Sequence, residues 1–177
     1  GPGSVLYGSD ALGGVIHFYT KSPAFSNSKK ILVKGNVASR YATTNNEITN
    51  QVSLSVANNK WGSYTSYTQS AFGDLRQGAN RSAAMGDLGK RNFYQGRING
   101  KDTMLVNDNP NIQKGSAYQQ YDLIQKLVWK QNENVSHVVN FQLSNSTNVP
   151  RYDRLTETNS AGVFKSAEWY YGPQNRL

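Results

Sequence analysis

Two histidines, His17 and His137, are the side chains of this sequence best suited to proton transfer near neutral pH. Neither belongs to a pattern that pairs a nucleophile with its base, so the reading is not that of an enzyme. The chain has no cysteine, which removes disulfides and thiolate metal sites. Asp102, Asp108 and Asp122 could offer oxygen ligands, but the spacing of a calcium loop is missing. The glycines of GSDALGG, residues 8–14, could cradle a phosphate, yet the Gly-x-x-x-x-Gly-Lys-Ser/Thr pattern is absent and no helix signal follows. Nineteen basic against eleven acidic residues leave a net charge of +8, which favours anionic surroundings. Nucleic acid is not the expected partner. Arg81, Lys90, Arg91, Arg97 and Lys101 are offset by Asp87, Asp102 and Asp108, and no nucleic-acid-binding signature accompanies them. Trp61, Trp129, Trp169 and the eleven tyrosines remain as groups that could stack on a ligand.

The elements that must carry these groups read as strands. In KKILVKGNVASRY (29–41), Ile31, Val33, Val37 and Tyr41 alternate with Lys30, Lys34, Asn36 and Arg40, with Leu32 out of phase. In EITNQVSLSVA (47–57), Ile48, Val52, Leu54 and Val56 alternate with Glu47, Thr49, Gln51, Ser53 and Ser55. A helix would scatter these residues around its axis, whereas a strand gathers them on one face. A third strand is expected over 60–72 from its Trp, Tyr and Thr content, after the turn Asn58-Asn59-Lys60.

Segment 77–117 shows no sustained period and reads as one long loop. Alternation returns over 118–131, with Tyr121, Leu123, Leu127 and Trp129 opposite Asp122, Lys126 and Lys130. It recurs over 135–146, with Val135, Val139, Phe141 and Leu143 opposite Ser136, Asn140, Gln142 and Ser144. A loop is expected over 148–165 and a sixth strand from Ala167. The short turns, 58–60 and 131–134, fall at one end of such a sheet and the long loops at the other.

That asymmetry suits an outer-membrane barrel, whose strands cross the bilayer in about 9–11 residues. No run of apolar residues is long enough for a helical span. A lipid-facing Lys or Arg near the midplane costs about 2–4 kcal/mol, so Lys30, Lys34, Glu47, Asp122 and Lys126 would face a lumen or a rim. Alternation alone fits equally a soluble antiparallel sheet with one face on a core.

The opening residues separate the two. Ser4, Leu6, Tyr7, Gly8, Ser9, Ala11, Gly13, Gly14, Val15 and Ile16, then Thr20 and Lys21, resemble the motif that ends the plug domain of TonB-dependent outer-membrane receptors. His17 departs from it, standing where the family most often has asparagine. VPRYDRLTE (149–157) and AEWYYGPQNRL (167–177) resemble segments of the haemoglobin, transferrin and lactoferrin receptor branch as it occurs in Bacteroidetes.

The resemblance implies an all-β chain. Residues 1–22 end the plug, with Val15–Thr20 as a plug strand; 23–28 are a linker; 29–177 supply about six strands of a 22-stranded antiparallel barrel, with external loops 77–117 and 148–165. The motif residues Leu6, Tyr7, Gly8, Ser9, Gly13, Gly14, Thr20 and Lys21 are structural in that reading. It implies no resident cofactor and a location in the outer membrane of a Gram-negative bacterium. The implied partners are TonB, through a plug segment upstream of these residues, outer-membrane lipid and lipopolysaccharide, the remainder of the receptor chain, and a scarce nutrient. That nutrient would be haem or a ferric chelate, and haem would draw on Tyr94, Met85 or Met104. The alternative is a soluble or surface-anchored β-rich module that binds glycans through its tryptophans and tyrosines.

Overall fold

The computed structural model describes residues 16–80 and 82–177. The chain is all-β and antiparallel. Six strands form one sheet: β1 (Leu32–Ala42), β2 (Glu47–Ala57), β3 (Trp61–Phe72), β8 (Tyr118–Lys130), β9 (Ser136–Pro150) and β10 (Tyr170–Arg176). Their order in space is β1-β2-β3-β8-β9-β10, so each strand pairs with the sheet strand that precedes it along the chain. β4 (Leu75–Arg76) pairs with β7 (Ile112–Gln113), and β5 (Phe93–Ile98) pairs with β6 (Lys101–Val106), within the excursion between β3 and β8.

Two short turns set the register at one end, and both use an asparagine. Asn58 Oδ1 accepts the amides of Lys60 and Trp61 at 2.8 Å each. Asn132 Oδ1 accepts those of Asn134 at 2.9 Å and Val135 at 2.8 Å. Such side chains hydrogen-bond the backbone just ahead and so close a turn without help from the sheet. Register then runs unbroken from Trp61↔Trp129 to Phe72↔Tyr118.

The sheet has no apolar interior. Along β2, β3, β8 and β9 the apolar row is exposed: Val52, Leu127 and Val139 are 53%, 48% and 64% exposed. On β2, β3 and β8 the polar row is the covered one, with Ser53, Ser66 and Lys126 at 7%, 3% and 8%, whereas on β9 Ser136, Asn140 and Gln142 of that row are exposed as well. Ile31, Val52, Leu127 and Phe141 are all exposed, so they do not meet in an enclosed centre. Among the described residues the buried hydrophobics are Ala57, Tyr64, Val128 and Leu155.

Four expectations change. Residues 16–20 form no strand; Ile16, Phe18 and Tyr19 are exposed and no neighbouring strand pairs with them. Segment 77–117 is not a structureless loop, because Asn99 and Gly100, with φ of 49° and 76°, close a two-residue turn between β5 and β6. Positive φ at both positions is what a tight hairpin requires. β9 runs on to Pro150, and the connection after it holds a one-turn helix α1 (Tyr152–Leu155) and a bridge between Thr158 and Phe164. The last strand begins at Tyr170 and not at Ala167, and the amide of Arg151 donates to the Trp169 carbonyl at 2.8 Å just before it.

Candidate functional site

The apolar face is banded. Trp61 and Trp129, opposite each other at the short-turn end, stack at 5.3 Å, and the His137 ring stacks on Trp129 at 4.9 Å. His137 Nε2 lies 3.0 Å from Gln131 Oε1. From Trp129 back to Tyr121, the row contains Leu127, Gln125 and Leu123. The interval is eight residues, about 27 Å along a strand. Gln125 interrupts the band, but Thr65 Oγ1 donates to its Oε1 at 2.7 Å and its Nε2 donates to Ser63 Oγ at 3.0 Å. Ser39 Oγ likewise donates to Asn50 Oδ1 at 2.7 Å. These pairs satisfy Gln125 and Asn50 within the face, whereas Asn145 Oδ1, opposite Tyr121 on the same face, is buried without a hydrogen-bond partner among the described residues.

The opposite face is polar and carries the N-terminal segment. Lys126 Nζ donates to the Thr20 carbonyl at 2.8 Å across 106 residues of chain. The amide of Ala24 donates to Ser55 Oγ at 2.8 Å, and that of Ser26 to the Asn58 carbonyl at 3.3 Å. Pro23 is buried over Gly62, where an added Cβ would stand 2.7 Å from the Pro23 Cβ. The Lys130 ammonium sits 3.8 Å from the centre of the Phe25 ring. Segment 20–26 is therefore laid along the polar face at its short-turn end, and the glycine at 62 makes the close approach possible.

At the other end the connections join into one assembly. Asp74 clasps the two ends of the long excursion together by accepting the amides of Ser116 at 2.8 Å and Ala117 at 3.1 Å. Arg97 Nε donates to Asp102 at 2.7 Å and reaches Glu168 at 3.8 Å. The Arg91 guanidinium lies 5.5 Å from the Tyr152 ring centre. The Arg97 hydrogen bond, and then the amide of Ala167, hold the Asp102 carboxyl below its ordinary value. Lys114 does the same for Asp108 and is itself held up by that carboxylate. These charges are spent on fixing loops to one another.

The structure brings few of the sequence candidates together. Leu6, Tyr7, Gly8, Ser9, Gly13 and Gly14 lie outside the described residues. Thr20 is engaged by Lys126, whereas Lys21 is exposed. The ring of His17 lies 4.3 Å from that of Tyr19 on the exposed segment. Asp102, Asp108 and Asp122 are bound to separate partners, Arg97, Lys114 and Ser144. Among the described residues no three histidines or carboxylates are grouped to hold a metal ion.

Tyr94 lies beneath the Lys114 ammonium at 4.4 Å, Met104 opposes Gln95 on the hairpin, and Met85 is exposed in a 3-10 turn (Ala83–Met85). Trp169, next to β10 at the long-loop end, is separated from the Trp61–Trp129 stack by the length of the sheet. Sequence reasoning missed the Lys126–Thr20 contact, which has no local signal. The Asp74 clasp was readable only as an Asp at a strand end.

No family model matches the chain, and no curated protein or solved structure shows significant similarity to it.

Proposed function

We propose that this chain is a portion of a TonB-dependent outer-membrane receptor, taking part in the energised uptake of a scarce ligand. The observation that carries the reading is the inverted sheet. Val52, Leu54, Leu127 and Phe141 are exposed, while Glu47, Ser53, Ser55, Ser66, Ser70 and Lys126 are buried. Burying a large apolar side chain is worth about 1.5–3 kcal/mol relative to leaving it in water. A whole row left outside, with the serines covered, is the distribution expected of strands whose outer neighbour is hydrocarbon. Stacked tryptophans at the short-turn rim and self-satisfied Gln125 within the band support the same assignment. The plug-like motif at the start of the chain supplies the family, and the haem or ferric-chelate class of ligand rests on that resemblance alone.

In this reading ligand is captured at the long-loop end, where Asp74, Arg97, Asp102 and Glu168 hold the excursions in place. Segment 20–26, laid against the polar wall, spans the end of the plug, to residue 22, and the start of the linker from Pro23. Force from TonB reaches the wall through the Lys126–Thr20 and Ser55–Ala24 bonds. Glycan binding through a tryptophan cleft gains no observation, because Trp61 and Trp129 stack on the exposed apolar face and Trp169 stands at the opposite end.

The test is partition of the full-length receptor chain in a Gram-negative host. It is expected in the outer-membrane pellet and resistant to extraction at alkaline pH; recovery as a monodisperse protein from the soluble fraction without detergent would contradict the reading.

A further inference from the structure

The outward face is bounded by two rows that run straight across the strands. At the short-turn end the row is Trp61, Trp129 and His137. Eight residues away along β3, β8 and β9, toward the long loops, it is Gln69, Tyr121 and Asn145, and register continues it to Asn50 on β2 and Ser39 on β1. Residues in register share a face, so a line of carboxamides and hydroxyls borders the apolar rows. Asn50 and Gln69 are exposed, and β2 and β3 are each paired on both sides, so this exposure belongs to the face and not to an edge of the sheet.

The polar line differs from Gln125 in the middle of the band, whose amide is closed by Thr65 and Ser63. Asn50 Oδ1 accepts the Ser39 hydroxyl at 2.7 Å, which leaves the Asn50 N–H groups to donate. The Tyr121 hydroxyl donates to Gln119 Oε1 at 2.8 Å, which leaves its oxygen to accept. Gln69, between them in register, has no side-chain partner among the described residues and offers both a donor and an acceptor. Open carboxamides are costly in hydrocarbon, so the line belongs at the level of lipid headgroups.

Charge narrows the partner. From β1 to β9 the outward row holds no Lys, Arg, Asp or Glu, whereas the inward row holds Lys34, Arg40, Glu47, Asp122 and Lys126. A phosphate finds no cation on the outward face. Ester carbonyls take up the donors of the line and leave its acceptors empty. An acyl chain joined to an amino sugar through an amide brings N–H, C=O and hydroxyls to one level, while the chain itself lies along Val52 and Leu54. We propose that this line docks the sugar-amide region of an N-acylated amino-sugar glycolipid, recognised through hydrogen bonds and not through its phosphates. The inference rests on the receptor reading for the presence of a membrane, and its ligand class comes from the donors, acceptors and missing charge of the line.

The test is native mass spectrometry of the full-length receptor chain, delipidated in detergent and titrated with a phosphate-free N-acylated glucosamine disaccharide, the same glycolipid with its phosphates, and phosphatidylcholine. The phosphate-free glycolipid is expected to bind roughly tenfold more tightly than phosphatidylcholine, as one or two additional hydrogen bonds would give, and as tightly as its phosphorylated form. Asn50→Leu combined with Gln69→Leu, which leaves a face still suited to lipid, should abolish that preference with phosphatidylcholine binding unchanged. Gln125→Leu, in the middle of the band, should keep it. Equal binding of glycolipid and phosphatidylcholine, binding of the phosphorylated form alone, a preference that survives the paired substitution, or a lipid-free dimer that the substitution dissolves would each overturn the proposal. The comparison of the three lipids on the unaltered chain does not depend on the variants folding. Recovery of the chain from the soluble fraction would end the receptor reading and this inference with it, whereas a chain in the membrane pellet without a lipid preference would end this inference alone.

Discussion

Lys126 is the residue on which the polar face turns. It is nearly buried, it lies on the face of Ser53 and Ser66, and its one bond among the described residues is to the carbonyl of Thr20. A buried ammonium without a partner would cost several kcal/mol, so the contact serves the sheet as well as the segment it holds. Replacing it with Met removes the charge and the bond together while keeping the length. A charge-assisted hydrogen bond is worth about 1.5–3 kcal/mol. Lys126→Met is therefore expected to raise amide exchange of Ala24 and Ser26 roughly tenfold or more, with the β2–β3 ladder unchanged. Hydrogen-exchange mass spectrometry of the full-length chain reads this; unaltered protection of 20–26 would show that Ser55, Pro23 and Phe25 hold the segment unaided. Nothing local in IQKLVWK announces the contact. Its partner lies 106 residues away, and a lysine in an alternating row reads only as a residue of the polar side.

At the scale of elements, legibility followed period. Strand β2 was readable almost to its ends because eleven residues keep one phase, and β8 and β9 because their apolar rows survive occasional lapses such as Ile124 and Val128. The hairpin β5–β6 was missed although Asn99-Gly100 is a strong turn signal. Its strands, FYQGRI and KDTMLV, carry Gly96, Arg97 and Asp102 where alternation would be sought. That hairpin is tied to the next connection by Asp102, whose carboxyl is held below its ordinary value by Arg97 first and the Ala167 amide second. A carboxylate depressed in the folded state contributes stability above its ordinary range and loses it as pH falls through the folded value. Protection of the β5–β6 amides, corrected for intrinsic exchange, is expected to drop below the ordinary aspartate range while β2–β3 stays constant. Protection of the hairpin that is level with pH would mean that the Arg97–Asp102 pair adds nothing to it.

For the molecule as a whole, the six-stranded sheet resembles a soluble protein turned inside out. Alternation in the sequence was compatible with either face being outward, since a period of two looks the same from a core and from a bilayer. Burial decides which row is covered on β2, β3 and β8: Glu47, Ser53, Ser55, Ser66, Ser70 and Lys126 are buried and Gln51 half-buried, while Val52, Leu54, Leu127 and, on β9, Val139 are exposed. The plug-like motif on which the proposed family rests lies largely outside the described residues, so at this scale the proposal stands on the strands.

The most direct test is a spin-label scan of residues 51–56 and 123–128, one position at a time, in the full-length chain reconstituted in lipid, comparing collisions with oxygen and with a water-soluble nickel chelate. Oxygen access is expected to peak at 52, 54, 56, 123, 125 and 127, with the chelate favouring the alternate positions; peaks at 53, 55, 124 and 126, or no period of two, would contradict the account.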